Sequence, residues 1–339
     1  LGNDGGIYFS RDRGESWAHV SHLSTTQFYT VAVDLREPFY HVYGGTQDNN
    51  SLGGPSATRN TDGIVNDDWY VTVGGDGFVV AIDPVDPRVV YTESQYGGIV
   101  RFDAATGERK RIKPSDPPAG PAWRWNWNAP ILISAHDNNT VYFGAQVLFR
   151  SPDRGDTWTV ISPDLTRAIP IDPRYRISDY GTIRTIAESR LRADLLGVGT
   201  DDGLVQLSRD RGRTWTRIDQ FPGVPDGAQV VRLILSAHDE GTVYAALSAH
   251  EDDDFRPFVV VSTDFGATWQ SARANLRNTL HRLRQTLDAV EPGSSSRLLT
   301  ISRRSICYNL ETASVDVHHF LTAVKDAQSD SSAVDFALL

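Results

Sequence analysis

The chain has 339 residues, 22% charged and 40% hydrophobic, with a formal net charge of −10. That length suits two or three average domains or one large repeat array, and the acidic balance argues against a general nucleic-acid binder. A single cysteine, Cys307, excludes an intrachain disulfide, and no run approaches the ~18 apolar residues of a membrane span.

The charge is uneven. Residues 1–275 hold 26 basic and 36 acidic side chains, whereas residues 276–339 hold seven of each. The chain lacks methionine and opens at Leu1 almost inside a repeat, so the expectation is a fragment of a longer protein.

In chain order, the first apolar run is Ile7–Phe9. It leads into Ser10-x-Asp12-x-Gly14-x-Ser16-Trp17. This Ser-x-Asp-x-Gly-x-Thr/Ser-Trp box returns at Ser151, Asp153, Gly155, Trp158, at Ser208, Asp210, Gly212, Trp215 and at Ser262, Asp264, Gly266, Trp269. Each copy follows an apolar run and reads as a β-hairpin turn. Gly supplies the positive φ, the Asp carboxylate accepts backbone N–H groups, and the Trp packs back under the hairpin. That use of Asp makes the boxes structural.

Box spacing predicts the architecture. The later copies begin 57 and 54 residues apart, and the first gap leaves room for two units without a box. Short strands at a period of roughly 40–55 residues predict a β-propeller of four-stranded blades. Blades are expected over 26–75, 76–113, 126–163, 178–219 and 228–272, after the end of one at 1–20. About five and a half blades make the ring open or incomplete.

Between strands lie Gly-rich loops bearing Asp48, Asn49, Asn50, Asp76, Glu93, Gln95 and Arg124. Loops at one face of a propeller converge on its axis and build a binding site. Asp76 and Glu93 could form a glycosidase carboxylate pair; ligand binding and loop bracing remain open beside it. Trp123, Trp125 and Trp127 alternate with polar residues, and period two would put the rings on one side of a strand. They read as a sugar-stacking platform or as packing between blades. The run His250–Asp254 reads as a solvated hairpin tip, and no metal or cofactor motif is recognisable.

The boxes, with Tyr43–Asn50, Gly74–Phe78, Glu93–Gly98 and Trp125–Pro130, resemble the large secreted bacterial propellers with Asp-box (BNR) repeats related to the luminal domain of sortilin, often named glycosyl hydrolases. The resemblance covers residues 1–274. It implies a secreted or periplasmic module that binds protein or glycan, with glycoside hydrolysis as the alternative. No Phe/Tyr-Arg-Ile-Pro motif accompanies the boxes, which argues against a sialidase.

From Leu276 the apolar spacing turns helical (Leu276, Leu280, Leu283, Leu287). Two short strands and Val315–Leu321 follow. Residues 275–325 resemble the end of the winged-helix domain of bacterial transcriptional activators. That resemblance implies Arg277 and Arg284 on a recognition helix and Arg303 and Arg304 at the wing tip. The first half of a winged helix is missing, so DNA binding by this chain is not expected. Residues 326–339 are expected to be a disordered tail.

Overall fold

The structure, a computed structural model, describes residues 1–3, 6–20, 26–169 and 180–272. Beyond these it describes only 284, 285, 288, 299–301 and 306–308. A three-stranded antiparallel sheet opens the chain: Gly2–Asn3 (β1), Gly6–Phe9 (β2) and Ala18–His19 (β3). Five four-stranded antiparallel meanders follow. Blade I is Phe28–Val33 (β4), His41–Thr46 (β5), Ser51–Pro55 (β6) and Tyr70–Val73 (β7). Blade II is Gly77–Ile82 (β8), Val89–Ser94 (β9), Gly98–Asp103 (β10) and Arg109–Arg111 (β11). Blade III is Ile131–Ile133 (β12), Val141–Gly144 (β13), Leu148–Ser151 (β14) and Thr159–Val160 (β15). Blade IV is Ile183–Glu188 (β16), Leu196–Thr200 (β17), Val205–Ser208 (β18) and Thr216–Ile218 (β19). Blade V is Gln229–Leu235 (β20), Val243–Ala249 (β21), Asp254–Ser262 (β22) and Gln270–Ser271 (β23). Every expected blade is present, and the fold is a β-propeller.

The strand sequences explain the layering. The second strands β13 (Val-Tyr-Phe-Gly) and β17 (Leu-Gly-Val-Gly-Thr) are buried throughout. A blade covers both of its faces only by lying against its neighbours, so these strands read as continuous apolar runs. The last strands, such as Arg109–Arg111, are exposed. First strands of successive blades touch: β4 with β8, β8 with β12, β12 with β16 and β16 with β20. Where they converge, side chains must vanish. A Cβ on Gly45 would stand 2.1 Å from the carbonyl carbon of Gly77.

The hydrophobic clusters accordingly lie at the seams between blades. Tyr43, Val80, Val90 and Phe102 join I to II. Tyr91, Ile99, Trp125, Phe143 and Phe149 join II to III. Tyr142, Leu148, Ile183 and Leu196 join III to IV. Val205, Leu207, Val230 and Leu233 join IV to V. The face of blade I turned away from blade II is uncovered, with Val31 64% and Val33 55% exposed.

The boxes are the turns between third and fourth strands, and their hydrogen bonds repeat. Ser151 Oγ donates to Asp153 Oδ1 (2.8 Å) and accepts the Gly155 N–H (2.7 Å). The Asp153 carboxylate accepts the Thr157 N–H (2.8 Å) and hydroxyl (2.7 Å). The copies at Ser10, Ser208 and Ser262 do the same. These bonds from the Thr hydroxyl and N–H hold Asp153, Asp210 and Asp264 down to about 2. Each box is also clasped to the first turn of its own blade: Arg154, Arg211 and Phe265 donate their N–H to Asn139, Asp194 and Gly241. The box-less turn of blade II does likewise through Ala104 and Arg88.

In the C-terminal segment, Leu299–Ile301 (β24) pairs antiparallel with Ile306–Tyr308 (β25), which matches the two expected strands. The remaining winged-helix assignments, including residues 277, 303 and 304, lie outside the described residues, as does the tail 326–339. Arg284 is helical and exposed. No helix among the described residues is long and apolar enough to cross a membrane.

Two glycines test the seam packing. Gly155 (φ +89°) and Gly107 (φ +76°) both occupy the left-handed region, but a Cβ on Gly155 would stand 2.5 Å from Ile112 Cδ1 while one on Gly107 meets open space. Gly107→Ala should cost about 1 kcal/mol from backbone strain alone. Gly155→Ala should cost about 2 kcal/mol or more, because strain and overpacking add. Urea unfolding of the two variants side by side measures the difference, and equal losses would refute it.

Candidate functional site

In an antiparallel meander, the turns between second and third strands share one end with the connectors between blades. The boxes occupy the other end. Asp48, Asn49, Asn50 and Gln95 lie on the first kind of turn, and Asp76, Trp123, Arg124, Trp125 and Trp127 on connectors. All the candidate ligand residues therefore belong to one end of the propeller.

Four of them meet. Residues 47–50 pair with the connector 74–76: the Asn50 N–H donates to Gly75 O (2.9 Å), the Gly75 N–H returns a bond to Asn50 Oδ1 (3.3 Å), and the Asp48 N–H donates to Asp76 Oδ1. Asp48 and Asn50 hold left-handed conformations (φ 60° and 72°), which Asp and Asn tolerate better than most residues. Gln95 closes the group, its Oε1 2.6 Å from where a Cβ on Gly75 would stand. Asn49 curls back, Nδ2 donating to Gln47 O (3.0 Å). Asp48 and Asn49 are exposed, and Asp76 is 8% exposed.

Glu93 does not join them. It is 0% exposed and its Oε1 accepts the Ala129 N–H (2.9 Å), tying blade II to the connector before blade III. Burial pushes its carboxyl well above the usual range, against the Ala129 and Gly97 peptides and the Lys113 charge. A carboxyl so enclosed cannot meet a substrate. The expected Asp76–Glu93 pair is thereby corrected: Glu93 is a brace.

The tryptophans are corrected as well. Residues 121–130 form no strand, so a two-residue alternation does not set where the rings lie. Trp125 is 3% exposed and stacked on Phe149 (5.6 Å, 11°), with Lys113 Nζ 5.0 Å over its ring. Trp123 stands edge-on to Phe149 and donates Nε1–H to Ser115 O (2.9 Å). Trp127 stands edge-on to Tyr96 (5.0 Å) and Phe78 (5.8 Å), half-buried beside the Gln95 turn. Packing between blades explains the first two; Trp127 remains next to the polar group.

Arg124 anchors a second network. Its N–H donates to Gln146 Oε1 (2.7 Å) and its guanidinium to Asp164 Oδ2 (2.8 Å), Thr166 Oγ1 (3.1 Å) and Gly181 O (3.2 Å). Beside it, Asp201 accepts the N–H groups of Gly181 (3.0 Å) and Thr182 (2.8 Å) and the Thr182 hydroxyl (2.6 Å). Burial nonetheless pushes Asp201 up to about 6. Asp202 accepts the Arg167 N–H (2.6 Å), and Arg167 pairs with Asp226 (2.6 Å). Asp164, Arg167, Asp201 and Asp202 stand outside the site residues expected from the sequence. Aligning the blades would have found the last two: Thr46 and Thr200 each bond the residue four further on, which places Gln47-Asp48 and Asp201-Asp202 at one position. Among the described residues no group of His, Cys, Asp and Glu is arranged to hold a metal.

No family model matches the chain. An oligoxyloglucan-reducing end-specific xyloglucanase of Emericella nidulans is 23% identical over 214 residues, 59% of this chain and 24% of that protein. Among solved structures, an ancestral GH74 enzyme superposes with a TM-score of 0.50 at 15% identity, over 73% of this chain and 31% of that one. A GH74 enzyme of Niastella koreensis gives a TM-score of 0.29 at 14% identity, over 79% and 45%. The chain thus spans about a quarter of the curated relative's length. These likenesses are to glycoside hydrolases of propeller fold; they do not bear on the sortilin relationship or on the winged-helix resemblance of residues 275–325.

The burial of Glu93 has a signed consequence for stability. A carboxyl raised in the folded state contributes stability below its unfolded pKa, near 4.5, and that contribution is lost as pH rises toward the folded value. Asp201 acts in the same direction between 3.8 and about 6. Glu93→Gln should therefore flatten the decline in stability from pH 4.5 upward, by about 1 kcal/mol or more across the neutral range. Urea midpoints at pH 4.5 and 7.5 check this, and parallel pH profiles for the two proteins would refute it.

Proposed function

We propose that this chain is propeller from a glycoside hydrolase-like protein and that it binds a neutral glycan on the loop-bearing end, around Asp48, Asn50, Asp76 and Gln95. The observation that carries the reading is the convergence of these four groups from two blades and a connector on one end of the fold. The xyloglucanase relative and the propeller likeness support it. In this reading the substrate class is an oligosaccharide of the xyloglucan kind. Asp76 is the carboxylate aimed at the glycosidic bond, its orientation fixed by the Asp48 N–H. The exposed Asp48 supplies the second carboxyl that acid and base or nucleophile chemistry requires. Trp127 offers an apolar edge for a sugar ring.

A second reading is a propeller that binds glycan or protein without cleaving it. The enclosure of Glu93 and the small exposure of Asp76 favour it.

Reducing-end release from xyloglucan oligosaccharides, measured beside their affinity by calorimetry, separates the two. Hydrolysis should fall about 10²-fold or more in Asp76→Asn, with affinity changed only a few-fold. Binding without any release assigns the non-catalytic role, and absence of both overturns the glycan reading.

A further inference from the structure

On the box side, the seams between blades share a set of equivalent positions that are filled differently. At the II–III seam the charges balance. Arg154 of the blade III box pairs with Asp83 (3.1 Å), and Asp156, two residues on, pairs with Arg101 (2.9 Å) and Lys110 (2.8 Å).

Strand register fixes the equivalents one blade later. Arg101 stands opposite Tyr91 as Arg150 stands opposite Tyr142. Asp83 and Ser134 both follow a first strand and cap the turn after it, Asp83 Oδ1 accepting the Val85 N–H (2.9 Å) and Ser134 Oγ the His136 N–H (3.2 Å). In the boxes, Arg211 and Arg213 take the places of Arg154 and Asp156. The III–IV seam has therefore kept its arginines and lost both acids: Ser134 stands for Asp83 and Arg213 for Asp156.

The charge of Arg150 is felt by Asp137 and that of Arg211 by Asp194, but neither carboxylate is close enough for an ion pair. Arg150 donates to Thr140 Oγ1 (3.2 Å), and among the described residues neither it, Arg211 nor Arg213 takes part in an ion pair. The two acids in the wall are occupied. Asp137 accepts the Asn139 N–H (3.1 Å) and the Thr140 hydroxyl (2.9 Å), and Glu188 accepts the Ala135 N–H (2.8 Å) and the Tyr142 hydroxyl (3.0 Å). Between the blades an open cavity of about 740 Å³ remains, floored by Val160, Ile161 and Pro163. At the IV–V seam Phe265 and Ala267 stand at the box positions of Arg211 and Arg213, so that seam lacks both charges.

We propose that the groove between blades III and IV binds an acidic oligosaccharide, whose uronate carboxylate takes the place that Asp156 fills one seam earlier. Planar guanidinium forks match a carboxylate in two-point contacts. The volume is that of a small-molecule site and far exceeds a bare ion. The Ser134 hydroxyl, which accepts only the His136 N–H, and the apolar floor suit the rest of a sugar. The arginines of the groove lie on the box side and its floor runs into the connector after blade III, whereas Asp76 lies on the connector between blades I and II, so the two sites share no residue.

Calorimetric titration of the whole chain with tri-galacturonate, a neutral trisaccharide and inorganic sulfate tests the proposal at low and high salt. Tri-galacturonate should bind, weaken with salt, and bind about tenfold or more weakly in Arg213→Asp, where the new carboxylate satisfies Arg150 internally. The melting temperature of that variant should be no lower than that of the unmodified chain. Arg213→Gln removes the charge without the swap and should also lose affinity, which keeps the test valid if the first variant misfolds. Unchanged binding in both variants, preference for the neutral trisaccharide, or sulfate binding as tightly as tri-galacturonate would each overturn the proposal.

Discussion

Everything in this propeller depends on sheets lying face against face. A four-stranded meander of short strands has two apolar faces and no way to cover either by itself. Its hydrophobic area leaves water only when another blade lies against it. The clusters at the seams are the result, and they dictate the sequence at each layer. Near the axis, where blades wedge together, glycine replaces side chains at Gly45 and Gly199, whose Cβ atoms would run into blades II and V. On second strands too, Tyr43, Tyr91 and Tyr142 fill the space between blades.

The two ends of the strands have become different materials. At the box end, the Ser, Asp and Thr of the motif spend their polar atoms on turn geometry and the boxes of blades III to V are clasped to the first turn of their blade, while variable box positions such as Arg154 and Asp156 reach a neighbouring blade. At the other end the polar atoms join different blades: the Asp48 N–H to Asp76, Ala129 to Glu93, Arg124 to Asp164 and Gly181. Turns closed on themselves can be copied from blade to blade. Bonds between blades cannot, because each needs a particular partner, and that is why the loop end is irregular and able to carry specificity.

The same distinction explains what could be read from the sequence. The blade positions and the strands leading into the boxes were legible because box spacing and the apolar runs before the boxes are local and repeated, whereas a strand such as Ser51–Pro55 lay in a Gly-rich stretch without that signal. The polar loops were recognisable as a group, since Gly-rich segments at fixed places in the blades must cluster. Which atoms would face solvent was not legible. Glu93 and Asp76 sit in similar surroundings in the sequence, yet Glu93 is fully enclosed between blades while Asp76 keeps 8% of its surface exposed. Trp123, Trp125 and Trp127 showed a strand's alternation, but the connector that carries them bends with Trp125 packed against Gly97 and has no strand partner. The place of Asp201 and Asp202 follows from the blade repeat, but their contacts with Thr182 and Arg167, 19 and 35 residues away, do not.

The bare face of blade I has a thermodynamic meaning of its own. Val31 and Val33 alternate as a buried strand should, yet both remain mostly in water. Any surface that covers them binds the folded blade and not the unfolded chain, so its binding free energy adds to the stability of blade I by mass action. The apparent stability of this end of the molecule is therefore not a fixed property. It rises with the concentration and affinity of whatever lies against that face, while blades II to IV, covered on both sides, are insulated from it.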